Sequence, residues 1–389
     1  MHLIQLVINS IALLSVGVVS HPLDSSDVFQ PLVRRVESPD NTCGLAGAGN
    51  NHGYTCGTTA PCCSQSGWCG SNTDYCGTGC QSAYGNCSTV TTDPVNAGDT
   101  AEETCGPLYG NKRCSKSQCC SPSGFCGTTE EYCTSPDCLR GFGVCDSDKT
   151  PDGATTLGSS RKLFGSVPYG VEIYDCDAPG TIALTYDDGP FSYTTDLLDI
   201  LKTHNAKATF FVNGVNLGKG MIDDPKLPWA AMIKRMISDG HQVASHSWSH
   251  ADLSTLNETE QTMEMIKNEM ALRNIIGKWP TYMRPPYSSC NEACMATMRK
   301  LGYHVCYFDL DTEDYLHATP ATNYISQKIV HDNLAMSEDN WLSIMHDIHE
   351  QTVYNLTSYF LGQITAEGFK TVTVGKCLND PEANWYRST

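Results

Sequence analysis

Two short stretches of the chain, residues 43–87 and 105–145, carry the same pattern of eight cysteines. In each stretch an adjacent cysteine pair is followed by Ser-x-Ser-Gly, an aromatic residue and Cys-Gly, and then by Tyr-Cys. About 40 residues cannot surround a large apolar core, so disulfides must hold such a unit together. The pattern therefore predicts two disulfide-stapled modules, and 21 cysteines in all indicate an oxidising compartment.

The stretches outside these modules differ in composition. Residues 1–20 are mostly apolar and end in a small residue, Ser20, before His21-Pro22, which is typical of a secretory signal peptide. Residues 21–42 contain three prolines and no periodicity, and we predict an unstructured or propeptide-like segment there. The stretches 88–104 and 146–164 are rich in small and polar residues and are predicted to be flexible linkers.

Several features predict a secreted, soluble protein. After residue 20 no apolar run is long enough to span a membrane, and the C-terminus lacks the hydrophobic tail of a lipid-anchor signal. The net charge of −18 argues against nucleic acid or an anionic membrane surface as a partner. We expect a monomer, extracellular or in the cell wall, with glycosylation sequons at Asn257 and Asn355. Asn86 also opens a sequon, but its middle residue is Cys87, which is expected to be disulfide-bonded.

From residue 165 to residue 385 the sequence alternates between strand and helix patterns. Short apolar runs predict strands at Thr181–Tyr186, Ala208–Val212, Gln242–Ser245, Val305–Leu310, Leu342–Met345 and Thr371–Val374, with a weaker one before Arg284. Helices are predicted at Tyr193–His204, Trp229–Ser238, Glu258–Ile276, Glu292–Leu301, Asn323–Asn333 and Thr352–Glu367. Roughly seven such units indicate an α/β fold with a barrel-like parallel sheet, a little short of a complete eightfold barrel.

Two adjacent carboxylates, Asp187 and Asp188, follow a predicted buried strand within the sequence Thr185–Pro190. Neighbouring like charges repel, so both stay ionised only beside a cation. A metal ion would be such a cation. Because the motif is short, the alternative interpretation is a solvent-exposed Asp-Asp-Gly turn without a metal. His246 and His250 are four residues apart and would share one face of a helical segment. Joined to a carboxylate, they would leave open metal positions for water and substrate.

Three further polar segments follow predicted strands. Arg284 comes before a rigid double proline and Tyr287, Asp311 lies in an acidic stretch, and His346 closes an apolar run. Active sites of barrel folds are built at the carboxyl ends of the strands. We therefore expect these segments to meet the aspartates and the histidine pair at one end of the sheet.

The five segments resemble the motifs of the NodB-like polysaccharide deacetylases, carbohydrate esterase family 4. The motifs read Thr-Tyr-Asp-Asp-Gly, His-Ser-x-x-His, Arg-Pro-Pro-Tyr, Asp-x-x-Asp-Tyr and Leu-x-Ile-x-His-Asp. The two cysteine-rich stretches resemble hevein-type chitin-binding modules. Together the resemblances imply a distorted, incomplete (β/α) barrel preceded by two small modules. They also imply a metal-dependent hydrolase that removes acetyl groups from N-acetylglucosamine units of chitin, giving chitosan and acetate.

The resemblance implies a metal site with a neighbouring base. Asp188, His246 and His250 would bind a divalent ion, Zn²⁺ in first place and otherwise Co²⁺. Asp187 would take a proton from the attacking water. Arg284 would pair with Asp187 and keep it ionised and oriented.

The resemblance also implies how the reacting amide is held. The backbone N–H of Tyr287 would bind the oxyanion, and Ile344 would line the pocket for the acetyl methyl group. His346 would protonate the leaving nitrogen, with Asp311 supporting its charge. Tyr315, where many family members have Trp, would make a packing or stacking contact with substrate.

Chitin binding by the modules would use aromatic faces for the sugar rings and a hydroxyl donor for the N-acetyl carbonyl. By resemblance, the binding residues are Ser64, Trp68 and Tyr75 in the first module and Ser121, Phe125 and Tyr132 in the second. Ser66 and Ser123 stand where the family often has another aromatic residue. This departure predicts weaker binding by each module, which two tethered modules would offset.

The resemblance implies ten disulfides and one free thiol. The implied pairs are Cys43–Cys63, Cys56–Cys69, Cys62–Cys76, Cys80–Cys87, Cys105–Cys120, Cys114–Cys126, Cys119–Cys133, Cys138–Cys145, Cys176–Cys377 and Cys290–Cys294. Cys306, in a predicted buried strand, would remain a free core thiol.

Three alternatives to a chitin-specific deacetylase remain at this point. A chitinase would need an acidic motif that Asp309-x-Asp311-x-Glu313 matches only in part, and it would have no use for the two histidines. A chitin-binding protein that shields walls without catalysis would be indicated by loss of a metal ligand or of the base. A deacetylase of xylan or peptidoglycan would use the same motifs, although the two modules favour chitin.

Overall fold

The computed structural model describes residues 37–39, 41–44, 48, 53–58, 60–71, 73–76, 80–81, 83–87 and 103–388. The predicted signal peptide, most of the segment 21–42 and most of the linker 88–104 lie outside the described residues. The described residues fall into two compact units. One is the first cysteine-rich module, and the other holds everything from residue 103 onwards.

The first module is a small disulfide-bonded unit. Its strands β1 (Cys62–Cys63) and β2 (Cys69–Gly70) pair antiparallel, and a helix α1 (Thr73–Cys76) follows. Four disulfides join the same pairs as the resemblance implies, namely Cys43–Cys63, Cys56–Cys69, Cys62–Cys76 and Cys80–Cys87. The most deeply buried of these half-cystines take the place of an apolar core.

The second module repeats this arrangement. It has β3 (Cys119–Cys120), β4 (Cys126–Gly127) and α2 (Glu130–Cys133), with the strands again antiparallel. Its disulfides are Cys105–Cys120, Cys114–Cys126, Cys119–Cys133 and Cys138–Cys145, which are also the implied pairs. The two repeats thus share one order of pairing, although some spacings differ: Cys43–Cys63 spans 20 residues and Cys105–Cys120 spans 15.

The α/β domain alternates strands and helices along the chain. Its strands are β5 (Glu172–Ile173), β6 (Thr181–Ala183), β7 (Thr185–Asp187), β8 (Thr209–Val212), β9 (Gln242–Ser245), β10 (Trp279–Pro280), β11 (Tyr282–Met283), β12 (His304–Cys306), β13 (Leu310–Asp311), β14 (Asn340–His346), β15 (Lys370–Val372) and β16 (Tyr386–Arg387). Its helices are α3 (Thr194–Thr203), α4 (Trp229–Ser238), α5 (Glu258–Ile276), α6 (Glu292–Leu301), α7 (Asn323–Leu334), α8 (Thr357–Glu367) and α9 (Val374–Cys377). In the described part of the chain no helix combines the length and apolar composition needed to cross a membrane.

The central sheet is parallel throughout. Its strands pair in the order β15-β6-β14-β7-β8-β9-β11-β12-β5, and β13 also pairs with β14. Because β13 follows β12 closely in the chain, this pairing curves the sheet back towards β14, as in an incomplete barrel. The predicted barrel-like α/β fold is confirmed, and β10 with β16 forms a separate antiparallel pair. Two disulfides lie in this domain, Cys176–Cys377 and Cys290–Cys294, and Cys306 is a buried free thiol.

The boundaries of α5 follow from capping chemistry. The side chain of Asn257 accepts hydrogen bonds from the N–H groups of Thr259 and Glu260, and Glu260 reaches back to the N–H of Asn257. The helix ends at Gly277, whose φ of 73° is the left-handed conformation that closes a helix. The bounds of α5 are those predicted from the sequence, and so are the bounds of α4 and α6.

Three predicted strands are divided or shortened in the structure. The run Thr181–Tyr186 divides at Leu184 into β6 and β7. The run Val305–Leu310 divides into β12 and β13, because the residues between them bend to reach β14. The run Thr371–Val374 ends earlier, since the hydroxyl of Thr373 accepts the N–H of Lys376 and starts α9.

The prediction of a flexible linker over residues 146–164 is wrong. Thr156 is fully buried and donates its hydroxyl to Glu269 of α5. Arg161 pairs with the same carboxylate, Nη1 lying 2.5 Å from Oε1. The small polar residues of this segment therefore act as partners for a polar helix face, and composition alone does not distinguish that role from a solvated linker.

Candidate active site

The two adjacent aspartates lie at a strained turn after β7. Asp187 ends the strand, and Asp188 follows with a φ of 75°, a conformation that is uncommon outside glycine. The buried Lys219 donates Nζ to the carbonyl oxygens of Asp188 and Gly189, at 3.0 and 3.1 Å. This lysine fixes the turn from which the two carboxylates diverge.

Both histidines of the His-Ser-x-x-His motif reach Asp188. The Nε2 atoms of His246 and His250 lie 3.4 and 3.0 Å from Oδ1 of Asp188. Nδ1 of His246 bonds to the carbonyl oxygen of Arg284 at 2.8 Å, so its Nε2 is left to act as a ligand. One donor atom from each of Asp188, His246 and His250 lies within 4.8 Å of the others. This donor set fits a divalent metal with three protein ligands and an open position.

The electrostatics of Asp188 point the same way. Its Oδ1 is buried and faces the Nε2 atoms of both histidines. Burial alone would raise the pKa of Asp188, but the charge of His250 and hydrogen bonds from both histidines hold it well below its usual range. An ionised, buried oxygen that faces two imidazole nitrogens is arranged to share a bound cation with them.

Arg284 is buried and holds Asp187. Its Nη1 lies 2.9 Å from Oδ1 of Asp187 and 2.5 Å from the hydroxyl of Thr185. Its other nitrogens donate to the carbonyl oxygens of Cys306 and Tyr307, at 3.3 and 2.6 Å. The guanidinium is thereby fixed on three sides, and Asp187 has one defined orientation.

The expectation that Asp311 supports His346 is wrong, because Asp314 does so. Oδ1 of Asp314 lies 2.7 Å from Nδ1 of His346, and its Oδ2 accepts the backbone N–H of His346 at 2.7 Å. Asp311 instead accepts the N–H of Glu313 and a hydroxyl hydrogen bond from Tyr315. Glu313 has a φ of 51°, and this turn directs Asp314 inwards.

The predicted site residues share one cleft of about 390 Å³ at the carboxyl ends of the strands. It is lined by Asp187, Asp188, His246, His250, Arg284, Pro285, Tyr287, Ser288, Phe308, Asp311, Tyr315, Ile344, His346 and His349. Tyr287, 58% exposed, packs edge-on against His250 with ring centroids 4.6 Å apart. Tyr315, 47% exposed, packs edge-on against His346 at 5.5 Å. Exposed tyrosines thus border both the histidine pair and His346.

The sequence matches the family model for polysaccharide deacetylase over residues 175–306 and that for chitin recognition protein over residues 42–87 and 104–145. A chitin deacetylase of Pestalotiopsis sp is 44% identical over 236 residues, which are 61% of this chain and 76% of that protein. The chain belongs to the polysaccharide deacetylase family.

Two further matches cover the polysaccharide deacetylase domain. A chitin deacetylase of Colletotrichum lindemuthianum is 42% identical over 227 residues, which are 57% of this chain and 89% of that protein. The solved structure of the chitin deacetylase from that fungus matches with a TM-score of 0.54 at 40% identity, covering 57% of this chain and 98% of that chain. The predicted family and its parallel α/β fold are confirmed.

Several residues that line or support the site lie outside the set that the sequence predicts. Asp314 lies inside the quoted motif Asp-x-x-Asp-Tyr, so the sequence did carry a signal for it. Phe308 and His349 line the cleft from positions next to predicted motifs. Lys219 is 30 residues beyond the turn that it supports, and no local pattern indicates it.

In each chitin recognition module the side chain of the predicted serine forms a hydrogen bond with the backbone of the predicted aromatic residue. The hydroxyl oxygen of Ser64 accepts the N–H of Trp68 at 3.1 Å, and that of Ser121 accepts the N–H of Phe125 at 3.2 Å. A hydroxyl that accepts in this way still has its own hydrogen to donate. Trp68 is 47% exposed, whereas Ser64 and Ser121 are buried. The sugar-binding roles of these residues stay predictions.

The predicted tyrosines of the modules lie against glycines. A Cβ at Gly70 would come within 2.1 Å of the ring of Tyr75, and a Cβ at Gly127 within 2.5 Å of the ring of Tyr132. Glycine is therefore required at both positions for the rings to lie so close to the backbone. The Cys-Gly step of the repeated motif is explained by this packing.

Proposed function

We propose that the protein removes acetyl groups from N-acetylglucosamine units of chitin, giving chitosan and acetate. One observation carries the proposal: a single cleft holds a metal-type donor set, a base paired with Arg284 and an imidazole paired with Asp314. Amide hydrolysis needs one group that takes a proton from water and one that gives a proton to nitrogen. The two chitin recognition modules and the chitin deacetylases among the relatives favour chitin as the polymer.

Asp188, His246 and His250 would hold the divalent ion, Zn²⁺ in first place and Co²⁺ as the alternative, because two imidazoles and a carboxylate are donors that suit both. When bound, such an ion supplies a water of lowered pKa, towards about 7, and a positive charge for the acetyl oxygen. The turn after β7 carries Asp188, and the loop that follows β9 carries His246 and His250.

Asp187 is the base in this proposal. Arg284 holds its Oδ1 at 2.9 Å, while its Oδ2 lies 3.9 Å from Nε2 of His246 and therefore faces the donor set. Asp187 takes the proton of the water that attacks the acetyl carbon. The backbone N–H of Tyr287 donates to the resulting oxyanion, and Ile344 lies against the acetyl methyl group.

His346 is the acid in this proposal. Burial alone would lower its pKa, but the charge and hydrogen bond of Asp314, together with the charges of Asp188 and Asp187, raise the pKa of His346 to about 10. The imidazole is therefore protonated at neutral pH and gives its proton to the amide nitrogen as the carbon–nitrogen bond breaks. The free amine of glucosamine and acetate are the products. Tyr315 would pack against the sugar at the rim.

We also propose that the protein is secreted and acts outside the cell or in the wall. Ten disulfides would persist only in an oxidising compartment. The asparagines of the three sequons, Asn86, Asn257 and Asn355, are exposed, as glycosylation requires. Cleavage of residues 1–20 and glycan mass would be measured on the purified secreted protein.

An acetate-release assay on N-acetylglucosamine oligomers tests the proposed activity. The full chain is freed of metal, and acetate is measured before and after addition of Zn²⁺ or Co²⁺, with Asp187→Asn as the matched inactive variant. We expect metal-restored acetate release by the wild type and a loss on the order of 10²–10⁴-fold in Asp187→Asn. Full activity in that variant, or unchanged activity after stringent chelation, would contradict the mechanism.

The same assay separates the alternatives. Acetyl xylan and peptidoglycan are offered in parallel, and reducing ends are measured beside acetate. Faster acetate release from xylan or peptidoglycan than from chitin oligomers would reassign the polymer. New reducing ends without acetate would indicate a chitinase, and chitin binding without either product would indicate a wall-shielding protein.

A further inference from the structure

Helix α5 carries three charged side chains that are unusually buried for their type. Glu264, Lys267 and Glu269 are at most 8% exposed, although charged side chains are rarely buried unless they are paired. Removing such charges from water is costly unless groups of opposite charge or hydrogen-bonding groups replace the lost water contacts. The chain must therefore supply these partners from another element.

The partners come from the second module and the segment after it. Nη1 of Arg140, within the module, lies 2.9 Å from Oε1 of Glu264. Nζ of Lys267 donates to the carbonyl oxygens of Ser147 and Asp148, at 2.7 and 3.2 Å. The module thus rests on α5 through charge-assisted contacts, in the same compact unit as the α/β domain.

Glu264 connects this contact to the metal-ligand loop. It accepts the backbone N–H of Ser249 at 2.8 Å and the hydroxyl of Ser249 at 2.9 Å. Ser249 lies between His246 and His250 in the chain. Arg140 of the module, Glu264 of α5 and Ser249 of the loop therefore form one continuous network.

A second contact holds the same loop. Trp248 is completely buried, and its indole N–H donates at 3.1 Å to the carbonyl oxygen of Ser147, two residues after the last cysteine of the module. Ser247 and His250 have φ values of 67° and 59°, in the left-handed region. A strained backbone of this kind persists only where its surroundings hold it.

We propose that the second chitin recognition module is a structural part of the active site, with Arg140 as a positioning residue for the loop that carries His246 and His250. Without the guanidinium, Glu264 is left as a buried carboxylate without its cation and binds Ser249 in a less defined geometry. The two imidazoles are then less well aligned, and metal affinity falls. This role is separate from any sugar binding by the module, and it rests on the proposed metal site.

The test measures metal affinity in the full chain. Metal-free wild type, Arg140→Gln, Arg140→Lys and the control Arg113→Gln, an exposed arginine of the same module, are titrated with Co²⁺ by visible absorption and with Zn²⁺ by calorimetry. Groups that orient metal ligands typically change metal affinity by about 10–100-fold. We expect at least about tenfold weaker binding in Arg140→Gln, a smaller loss in Arg140→Lys because the charge is kept, and wild-type affinity in Arg113→Gln.

A double-mutant cycle with Glu264→Gln tests the route. Arg140→Gln together with Glu264→Gln removes both charges of the pair, so the double variant avoids the unpaired Glu264 carboxylate and remains measurable even if Arg140→Gln alone folds poorly. We expect the loss in the double variant to be well below the product of the two single losses. Independent effects, or unchanged affinity in Arg140→Gln, would overturn the inference. A wild type that binds neither metal would instead overturn the proposed function.

Discussion

Asp314 Oδ1 lies 2.7 Å from Nδ1 of His346, and Oδ2 of the same carboxylate accepts the backbone N–H of His346. The hydroxyl of Thr352 also donates to Oδ2 at 2.7 Å. The carboxylate is thus held by three donors and is completely buried. It fixes the ring orientation of His346 and directs Nε2 of the imidazole away from Asp314, towards the cleft.

Replacing Asp314 by Asn should move the pH dependence of activity. The raised pKa of His346, about 10, depends on the Asp314 charge, while burial acts in the opposite direction. In Asp314→Asn the pKa of His346 should fall, so the acid loses its proton at lower pH. We expect the alkaline limb of the kcat profile to move to lower pH, with kcat at pH 8 reduced on the order of 10²-fold.

Asp311→Asn is the matched control for this prediction. Asp311 lines the same cleft but makes its hydrogen bonds to Glu313 and Tyr315. Its substitution should move the alkaline limb much less. Equal shifts in the two variants would argue that the general negative charge of the acidic stretch, and not the direct Asp314 contact, sets the proton affinity of His346.

Arg284→Lys should lower kcat although it keeps the positive charge. The guanidinium fork bonds at once to Asp187, Thr185 and two backbone carbonyls, and an ammonium group cannot match that geometry. Small displacements of a catalytic group cost on the order of 10²-fold in rate, and we expect a loss of that size. Steady-state kinetics beside thermal unfolding would measure it, with the exposed Arg299→Lys as control. A wild-type kcat in Arg284→Lys would mean that the fork is not needed.

Strand ends were the most predictable part of the site. Each site motif follows an apolar run that forms a parallel strand, so Asp187, His246, Arg284 and His346 meet at one end of the sheet. The sequence predicts this grouping because residues that directly follow parallel strands all lie at the same end of the sheet.

Side-chain direction within irregular segments was not predictable. Asp311 and Asp314 are three residues apart, and the left-handed φ of Glu313 decides which carboxylate reaches His346. The docking of the second module was hidden for a different reason. The cysteine pattern of the module predicts its internal fold but not what the module contacts. The contact is made by charged residues of α5, and charged residues in a helix usually indicate a solvent-exposed surface.

The disulfide Cys176–Cys377 should contribute more stability than Cys290–Cys294. The first closes a loop of 201 residues and the second a loop of 4. The chain-entropy relation gives about 5 kcal/mol for the long loop and about 2 kcal/mol for the short one. We expect Cys176→Ser with Cys377→Ser to lower the free energy of unfolding more than Cys290→Ser with Cys294→Ser. Denaturant titration of both double variants would measure the difference, and an equal loss would contradict this explanation.

Chitin retention by the first module should depend on the aromatic surface at Trp68. Trp68 is 47% exposed, and Ser66 stands two residues away where an additional aromatic ring could extend the surface. Trp68→Ala should weaken retention on insoluble chitin by about tenfold, equivalent to about 1.4 kcal/mol, and Ser66→Trp should strengthen it. Binding isotherms on chitin particles would measure both changes, with the exposed neighbour substitution Gln65→Ala as control. If Ser66→Trp binds no better than the wild type while Trp68→Ala loses affinity, the single ring at Trp68 already provides all the stacking surface that this module uses.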